Sequence, residues 1–473
     1  MTAQTFDSTL VSGSRASAAA DTAHQAVEIT PADLRRAAWT CSLGSALEYY
    51  DFALYSLASA LVFGPLFFPS KSPGLALIAS FATYSIGFAV RPVGGIFFGA
   101  LGDKYGRKRV LLLTVTLMGI ASTAIGLLPT YQQVGIWAPL ALIGMRVLQG
   151  LGAGAEQAGA AVMMTEYAPP GKRGFYAAMP FLGIQIGTII AALVYCALLF
   201  GGRDVVVSWV WRVPFLLSAI ILAVALYMRL TLKESPAFAV MEEERAHEER
   251  PGLFGLLRQS WKTIIIGIGL RAGENGGSSL YQVLAISYIV HTMGLPAFSG
   301  TIALISAALV GGITVPVAGR MSDRFGRVKT YRAFAILELV SALPVWWAFS
   351  QGNTTLAAIG LSVGLGISAW GMFGSQAAFL PEMFGARHRY IGVSLTREVS
   401  AVVAGGITPL VGSFIIAMVI REWPSHAGSH PGSLAWIPLA FYVMALALTT
   451  IIATFFIPEC RNRDLLDTRD LIQ

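Results

Sequence analysis

The sequence predicts an all-α membrane protein of twelve transmembrane helices, arranged as two pseudo-symmetric six-helix bundles. Three observations carry this expectation. Hydrophobic residues make up 55% of the 473-residue chain and charged residues only 12%, about half of the roughly 25% usual in soluble domains. Apolar runs recur at the length a bilayer requires, about 20 residues each. Several motifs return in the same order in the second half of the chain. An ordinary soluble enzyme, a nucleic-acid binder and a disordered chain are excluded by this composition. The 50 glycines fit the same class, because glycine is more frequent in membrane helices than in soluble ones.

The spans read in order as 37–69, 74–102, 108–130, 135–166, 174–201, 208–232, 261–291, 297–321, 330–350, 354–381, 389–420 and 433–457. They divide the chain into an N-terminal tail (1–36), a first bundle (37–232), a linker (233–260), a second bundle (261–457) and a C-terminal tail (458–473). Several runs exceed bilayer length, which implies tilt or extension beyond the lipid. Of the 33 Lys and Arg residues, 25 fall on the N-terminal side of the membrane, three opposite and five inside spans. The positive-inside rule therefore places both termini in the cytoplasm. The linker run MEEERAHEER (241–250) reads as a solvated helix between the halves. No cleaved signal peptide is read in residues 1–36. Three cysteines give no disulfide framework, and six scattered histidines lack metal-ligand spacing, so no metal or other cofactor is expected.

The internal repeat is carried by short motifs. GALGDKYGRK (99–108) matches AGRMSDRFGRVK (318–329), TEYAPPGKRG (165–174) matches PEMFGARHRY (381–390), and VWRVPFLL (210–217) matches LAWIPLAF (434–441). Repeated six-span halves are the layout of secondary transporters that alternate access around a midplane site. The two G-x-x-x-D-x-x-G-R loops resemble the signature of the major facilitator superfamily. More narrowly, EYYDF (48–52), RPVGG (91–95), RVLQGLGAGAEQAGAA (146–161) and WRVPF (211–215) resemble its metabolite:proton symporter branch. That resemblance implies transport of citrate, 2-oxoglutarate, shikimate, aromatic acids, proline or betaine with protons. Glu156-Gln157 departs from the Glu-Trp of many relatives, which weakens transfer of a particular substrate.

Charges inside spans are functional-site candidates, since each costs at least roughly 2.5–3.5 kcal/mol to insert. Depth along the helices, at about 1.5 Å per residue, puts Glu48, Arg91 and Glu156 in one layer. Asp51 lies one turn above Glu48 and leans toward Arg146. Asp51 with Arg146 is the leading proton-coupling pair: a desolvated acid can switch charge state, while an arginine stays cationic. The resemblance to proton-coupled sugar porters, which use a span-1 Asp and a span-4 Arg, points to the same pair. Glu48 and Glu156 are the alternative titrating acids, and a permanent Asp51–Arg146 ion pair is the structural alternative. Arg91, Arg271 and Arg397 are candidates to grip a carboxylate substrate, or else to pair with Glu156, Glu274 and Glu398. Gln149, Gln185, Asn275, Gln282 and Gln376 are expected to give the cavity its polarity. Tyr49, Tyr50, Tyr281, Tyr288 and Trp370 are candidate aromatic lining.

A second set belongs at the cytoplasmic face. Asp103 with Arg107 and Asp323 with Arg327 form the signature loops. Glu166 with Arg173 and Glu382 with Arg389 repeat nearby. These are expected to hold helices together when the inner side is shut. Gly150, Gly152 and Gly154 read as close helix packing rather than a nucleotide loop. The sequence thus predicts a non-enzymatic inner-membrane symporter that imports a small organic acid with protons. It needs a small-molecule substrate, protons and a lipid bilayer, engages no nucleic acid, and works as a monomer. A zwitterionic osmolyte is the alternative substrate, and a non-transporting membrane sensor the alternative class.

Overall fold

The computed structural model describes residues 30–69, 73–105, 107–154, 156–231, 253–385, 389–422, 432–465, 467 and 469–472. The acidic linker run falls outside the described residues, as do the side chains of Asp103, Arg107 and Glu156. Helices account for nearly all of what is described. In the first half they are α1 (Pro31–Leu61), α2 (Pro73–Ala89, continued by Arg91–Tyr105), α3 (Arg107–Leu127), α4 (Trp137–Ala153, continued by Glu156–Tyr167), α5 (Arg173–Leu199) and α6 (Arg212–Thr231). In the second half α7 begins at Leu253–Leu270 and continues through Ala272–Ser279 to Thr292. It is followed by α8 (Ala297–Phe325), α9 (Arg327–Ser350), α10 (Thr354–Leu361 through Trp370–Met383), α11 (Arg389–Ser400 through Ile407–Glu422) and α12 (Trp436–Phe455).

These twelve segments fall on the twelve expected spans. Among the described residues, eight helices are long and apolar enough to cross a membrane, and parts of α3 and α6 form shorter apolar helices. The long helices α1 and α7 are in neither group. Both carry charge at mid-length: Glu48 and Asp51 in α1, Arg271 and Glu274 in α7. Large apolar side chains such as Ile220, Ile313, Val340 and Phe414 are exposed on the outside of the bundle, the surface that lipid would cover. Two spans differ most from expectation, and one of them is α7, which begins at Leu253 rather than at 261. The first span starts at Pro31, because proline suits the first helical turn. It ends at Leu61, with a separate short helix at Phe63–Phe67.

Small residues let the helices approach. A methyl group on Gly150 would overlap the carbonyl of Gly87, and one on Gly154 that of Arg91. The glycine run of α4 therefore packs against α2, as small residues do in membranes. Helix continuity is interrupted at Val90 in α2, after Ala153 in α4 and at Arg271 in α7. Wide π-type turns occupy Leu280–Ala285, Ser362–Ala369 and Ala401–Gly406 of α7, α10 and α11. Such turns concentrate at functional sites. Here they and the breaks flank the charged residues of the midplane.

Candidate functional site

A central cavity lies between the halves. Tyr49, Phe52, Tyr84, Phe88, Trp370 and Phe373 supply its aromatic wall, and Arg91, Gln157, Arg271, Asn275, Gln282, Arg397 and Glu398 its polar wall. α1, α2 and α4 contribute from the first half, α7, α10 and α11 from the second. Five of the expected substrate-cavity residues thus stand on its polar wall together with Arg91. Gln149, Gln185, Glu274 and Gln376 are buried and do not line it. Gln185 is buried against Gly311 of α8. Of the candidate aromatics, Tyr49 and Trp370 line the cavity, while Tyr50, Tyr281 and Tyr288 are packed in the core.

A single hydrogen-bonded chain runs along this wall from one half to the other. Arg91 meets Glu48 at 3.4 Å. The Gln157 amide donates to Glu48 Oε1 at 3.1 Å and accepts from Arg397 at 2.6 Å. Arg397 also donates to Gln376 Oε1 at 3.1 Å. The Gln376 amide in turn donates to both oxygens of Glu274 at 2.9 Å. Arg271 closes the chain on Glu274 at 2.9 Å, and Tyr331 donates to the same carboxylate at 3.0 Å. Arg91 therefore pairs with Glu48 and Arg271 with Glu274. Arg397 does not pair with Glu398. Among the described residues its guanidinium is held by two amide oxygens, with the rings of Phe181 and Phe373 alongside. Gln157, the bridge between halves, was not singled out in the sequence as a site residue. Its one signal is the departure from the Glu-Trp pattern.

Asp51 occupies a separate polar pocket. Ser122 and Ser218 each donate to it at 2.6 Å, the short distance of charge-assisted bonds. Asp51 and Arg146 form no direct ion pair, the structural alternative to a proton-coupling role. They are joined by a relay: Arg146 donates to Gln149 at 3.0 Å, and Gln149 donates to Ser122 at 2.6 Å. Arg146 lies 4.0 Å from the centre of the Tyr55 ring, with Phe52 and Tyr84 beside it. Cation–π contact takes up part of its charge. Phe52 and Tyr84 also face the cavity, so the Asp51 pocket and the cavity share an aromatic wall.

The end bearing the basic loops is shut by direct ion pairs. Arg327 grips Glu382 through two nitrogens at 2.8 and 3.1 Å and reaches Asp323 at 2.8 Å. Asp323 accepts from the amides of Gly174 and Phe175 at 2.8 and 2.9 Å. Its charge thus caps the positive N-terminal end of α5 from the other half. Glu166 pairs with Arg389 at 3.0 Å, and Arg173 approaches Glu382 at 3.9 Å. The expected pairs are therefore exchanged: each Glu of the repeat meets the Arg of the opposite half. Residues after α12 strap the same end, with Arg463 donating to Glu382 O at 2.9 Å and Arg389 to Leu465 O at 2.6 Å. At the far end the halves also touch, through Ser85 with Gly406 O and His291 with Ala60 O. The two halves thus touch on both sides of the cavity.

Two helix bundles clasping one polar, occludable cavity at the midplane define a secondary transporter, in which a solute is exposed to each side in turn. Comparison with known proteins agrees. A family profile described as "Sugar (and other) transporter" matches residues 37–259. The chain is 36% identical over 400 residues to the Shikimate transporter of Escherichia coli (strain K12), covering 83% of this chain and 90% of that protein. It is 34% identical over 459 residues to the Inner membrane metabolite transport protein YhjE of the same organism, covering 95% and 100%. Among solved structures, the proton:xylose symporter XylE bound to 6-bromo-6-deoxy-D-glucose shares the fold. Its TM-score is 0.68 at 18% identity, over 92% of this chain and 98% of that chain. The chain belongs to the major facilitator superfamily, within the metabolite-transporter branch that includes the shikimate transporter.

Proposed function

We propose that this transporter imports a small organic acid across the inner membrane in symport with protons, with both termini cytoplasmic and the monomer as the working unit. The observation that carries the reading is the state of Arg397. It lines the cavity as a buried cation held by the amide oxygens of Gln157 and Gln376, with its Nε left without a hydrogen-bond partner among the described residues. A substrate carboxylate offers a stronger, bidentate partner than either amide. Its arrival releases Gln157 and so loosens the link between the halves.

Asp51 supplies the proton site. In the charged state it takes both serine hydroxyls. On protonation it must itself donate, and Ser122 has an alternative acceptor in Met118 O at 3.0 Å. Ser122 turning to that carbonyl rearranges Gln149 and Arg146, and thereby the Phe52 and Tyr84 faces of the cavity. Proton state and substrate fit are coupled through shared side chains. The basic-end ion pairs act as the inner gate: they must part for the cavity to open on that side.

A zwitterionic osmolyte is the second reading, and one observation favours it. Glu398 lines the cavity beside six aromatic rings. That set suits a quaternary ammonium through cation–π contact, with Arg397 taking the carboxylate. Thermal-shift screening of the purified protein against shikimate, 2-oxoglutarate, proline and glycine betaine separates the two, because a ligand of the native state raises Tm. A rise with the acids alone supports the first reading. A rise with betaine or proline alone replaces it by the second.

A further inference from the structure

Glu338 has no part in the mechanism above, yet it is wholly buried in the middle of α9. Its side chain fits a groove on α7 made by two glycines. A methyl group on Gly277 would overlap Glu338 Oε1, and one on Gly273 would lie 3.1 Å from Oε2. Neither carboxyl oxygen has a hydrogen-bond partner among the described residues. The titratable groups around it are Glu274 and Tyr281 from α7 and Tyr331 from α9 itself. α12 contributes Thr450, whose hydroxyl is engaged by the Gly273 amide at 2.8 Å. On the α10 side Ser368 faces Ser341. None of these groups is a cation.

A bare carboxylate in such a place costs several kcal/mol, and the nearby Glu274 adds like-charge repulsion. A neutral acid meets neither cost and fills the groove with its stem. α7 also carries Arg271, Asn275 and Gln282 of the cavity wall. Movement of α7 that admits or releases substrate therefore opens or closes the glycine groove. We infer that Glu338 is a second proton-binding site, which holds its proton while α7 and α9 are packed and surrenders it when they part and water enters. This rests on the proton-coupled reading but on different atoms from those of Asp51. It implies one more proton moved per cycle.

Infrared pH titration of the reconstituted transporter tests it, using the carbonyl stretch of a protonated carboxylic acid. The wild type should show an acid band that bleaches as pH rises and shifts when the protein is labelled with 13C-glutamate. Glu338→Gln should lose that band, and Asp51→Asn should keep it. Glu338→Asp should keep an acid band that no longer responds to the glutamate label. Superimposable spectra of wild type and Glu338→Gln overturn the inference. So does a wild-type band that ignores the glutamate label, which requires no folded variant. In proteoliposomes tested with shikimate, 2-oxoglutarate, proline and betaine, Glu338→Gln should move one proton fewer per solute. An unchanged ratio in that variant, with pH-driven uptake lost in Asp51→Asn, rejects the second site and leaves the first intact. Wild-type uptake indifferent to pH removes the Asp51 reading itself.

Discussion

The two polar regions of this transporter hold Arg327 and Arg397 in opposite ways. At the basic end, carboxylates and guanidinium groups meet directly: Arg327 clamps Glu382 through two nitrogens, and Glu166 meets Arg389 at 3.0 Å. At the midplane Arg271–Glu274 and Arg91–Glu48 also pair directly, but amides and hydroxyls hold Arg397 and stand between Arg146 and Asp51. Gln157 and Gln376 hold Arg397, and Gln149 with Ser122 separates Arg146 from Asp51. A direct bidentate pair is a lock, since breaking it leaves buried charge uncompensated. An amide is a weaker partner that a substrate carboxylate or a proton-driven rotation can replace. The molecule is thus fastened where a gate is needed and left exchangeable where ligands must enter.

Substitutions can break or sharpen this contrast. The largest effect is expected for Arg327→Ala, which strands the buried Glu382. Stability of the basic-end closure should fall by about 3–5 kcal/mol. Denaturation of the purified protein should show a lowered midpoint, while the affinity of any compound that shifts Tm stays near wild type. Arg397→Ala should do the reverse. Binding should weaken about 10- to 100-fold, from the roughly 1.5–3 kcal/mol of a hydrogen bond to a charged group, with the melting transition little moved. Gln157→Glu carries the logic of the gate into the midplane by giving Arg397 a carboxylate neighbour. Substrate affinity should fall by about tenfold, roughly 1.4 kcal/mol, whereas Gln157→Ala should bind nearly normally. Tighter binding in Gln157→Glu would contradict the exchange. The smallest effect is expected for Glu166→Gln. Its carboxylate is about one-third exposed at 32%, and partly exposed pairs contribute about 0–1 kcal/mol. Turnover should change by less than a factor of about five on that basis.

Much of this architecture was legible in the sequence, and what was not has a geometric cause. The apolar runs gave the helices because a bilayer demands uninterrupted hydrophobic length. Counting residues from helix ends put Glu48 and Arg91 in one layer, and they meet. The same count added Glu156, whose side chain lies outside the described residues; its neighbour Gln157 bridges the halves. Rise along an axis gives depth but not the direction a side chain faces, so it did not single out Gln157. The repeat exposed two equivalent Glu and Arg sets. It could not show that the two halves exchange partners, because a repeat within a chain does not encode how its copies face each other. Ser122 and Ser218, which hold Asp51, left no signal at all. Serines are common in membrane helices, and these two lie far from Asp51 in sequence. Glu338 lies within the expected span 330–350, but its glycine groove appears only when α7 and α9 are side by side.

The central claim is that solute and proton move together through a site containing Asp51. It is tested most directly by a pH electrode outside proteoliposomes while shikimate, 2-oxoglutarate, proline and betaine are each added to the medium. The account predicts external alkalinisation for a transported compound in the wild type and none in Asp51→Asn, which should still exchange labelled for unlabelled compound. Uptake in the wild type without alkalinisation, or full alkalinisation in Asp51→Asn, would contradict it.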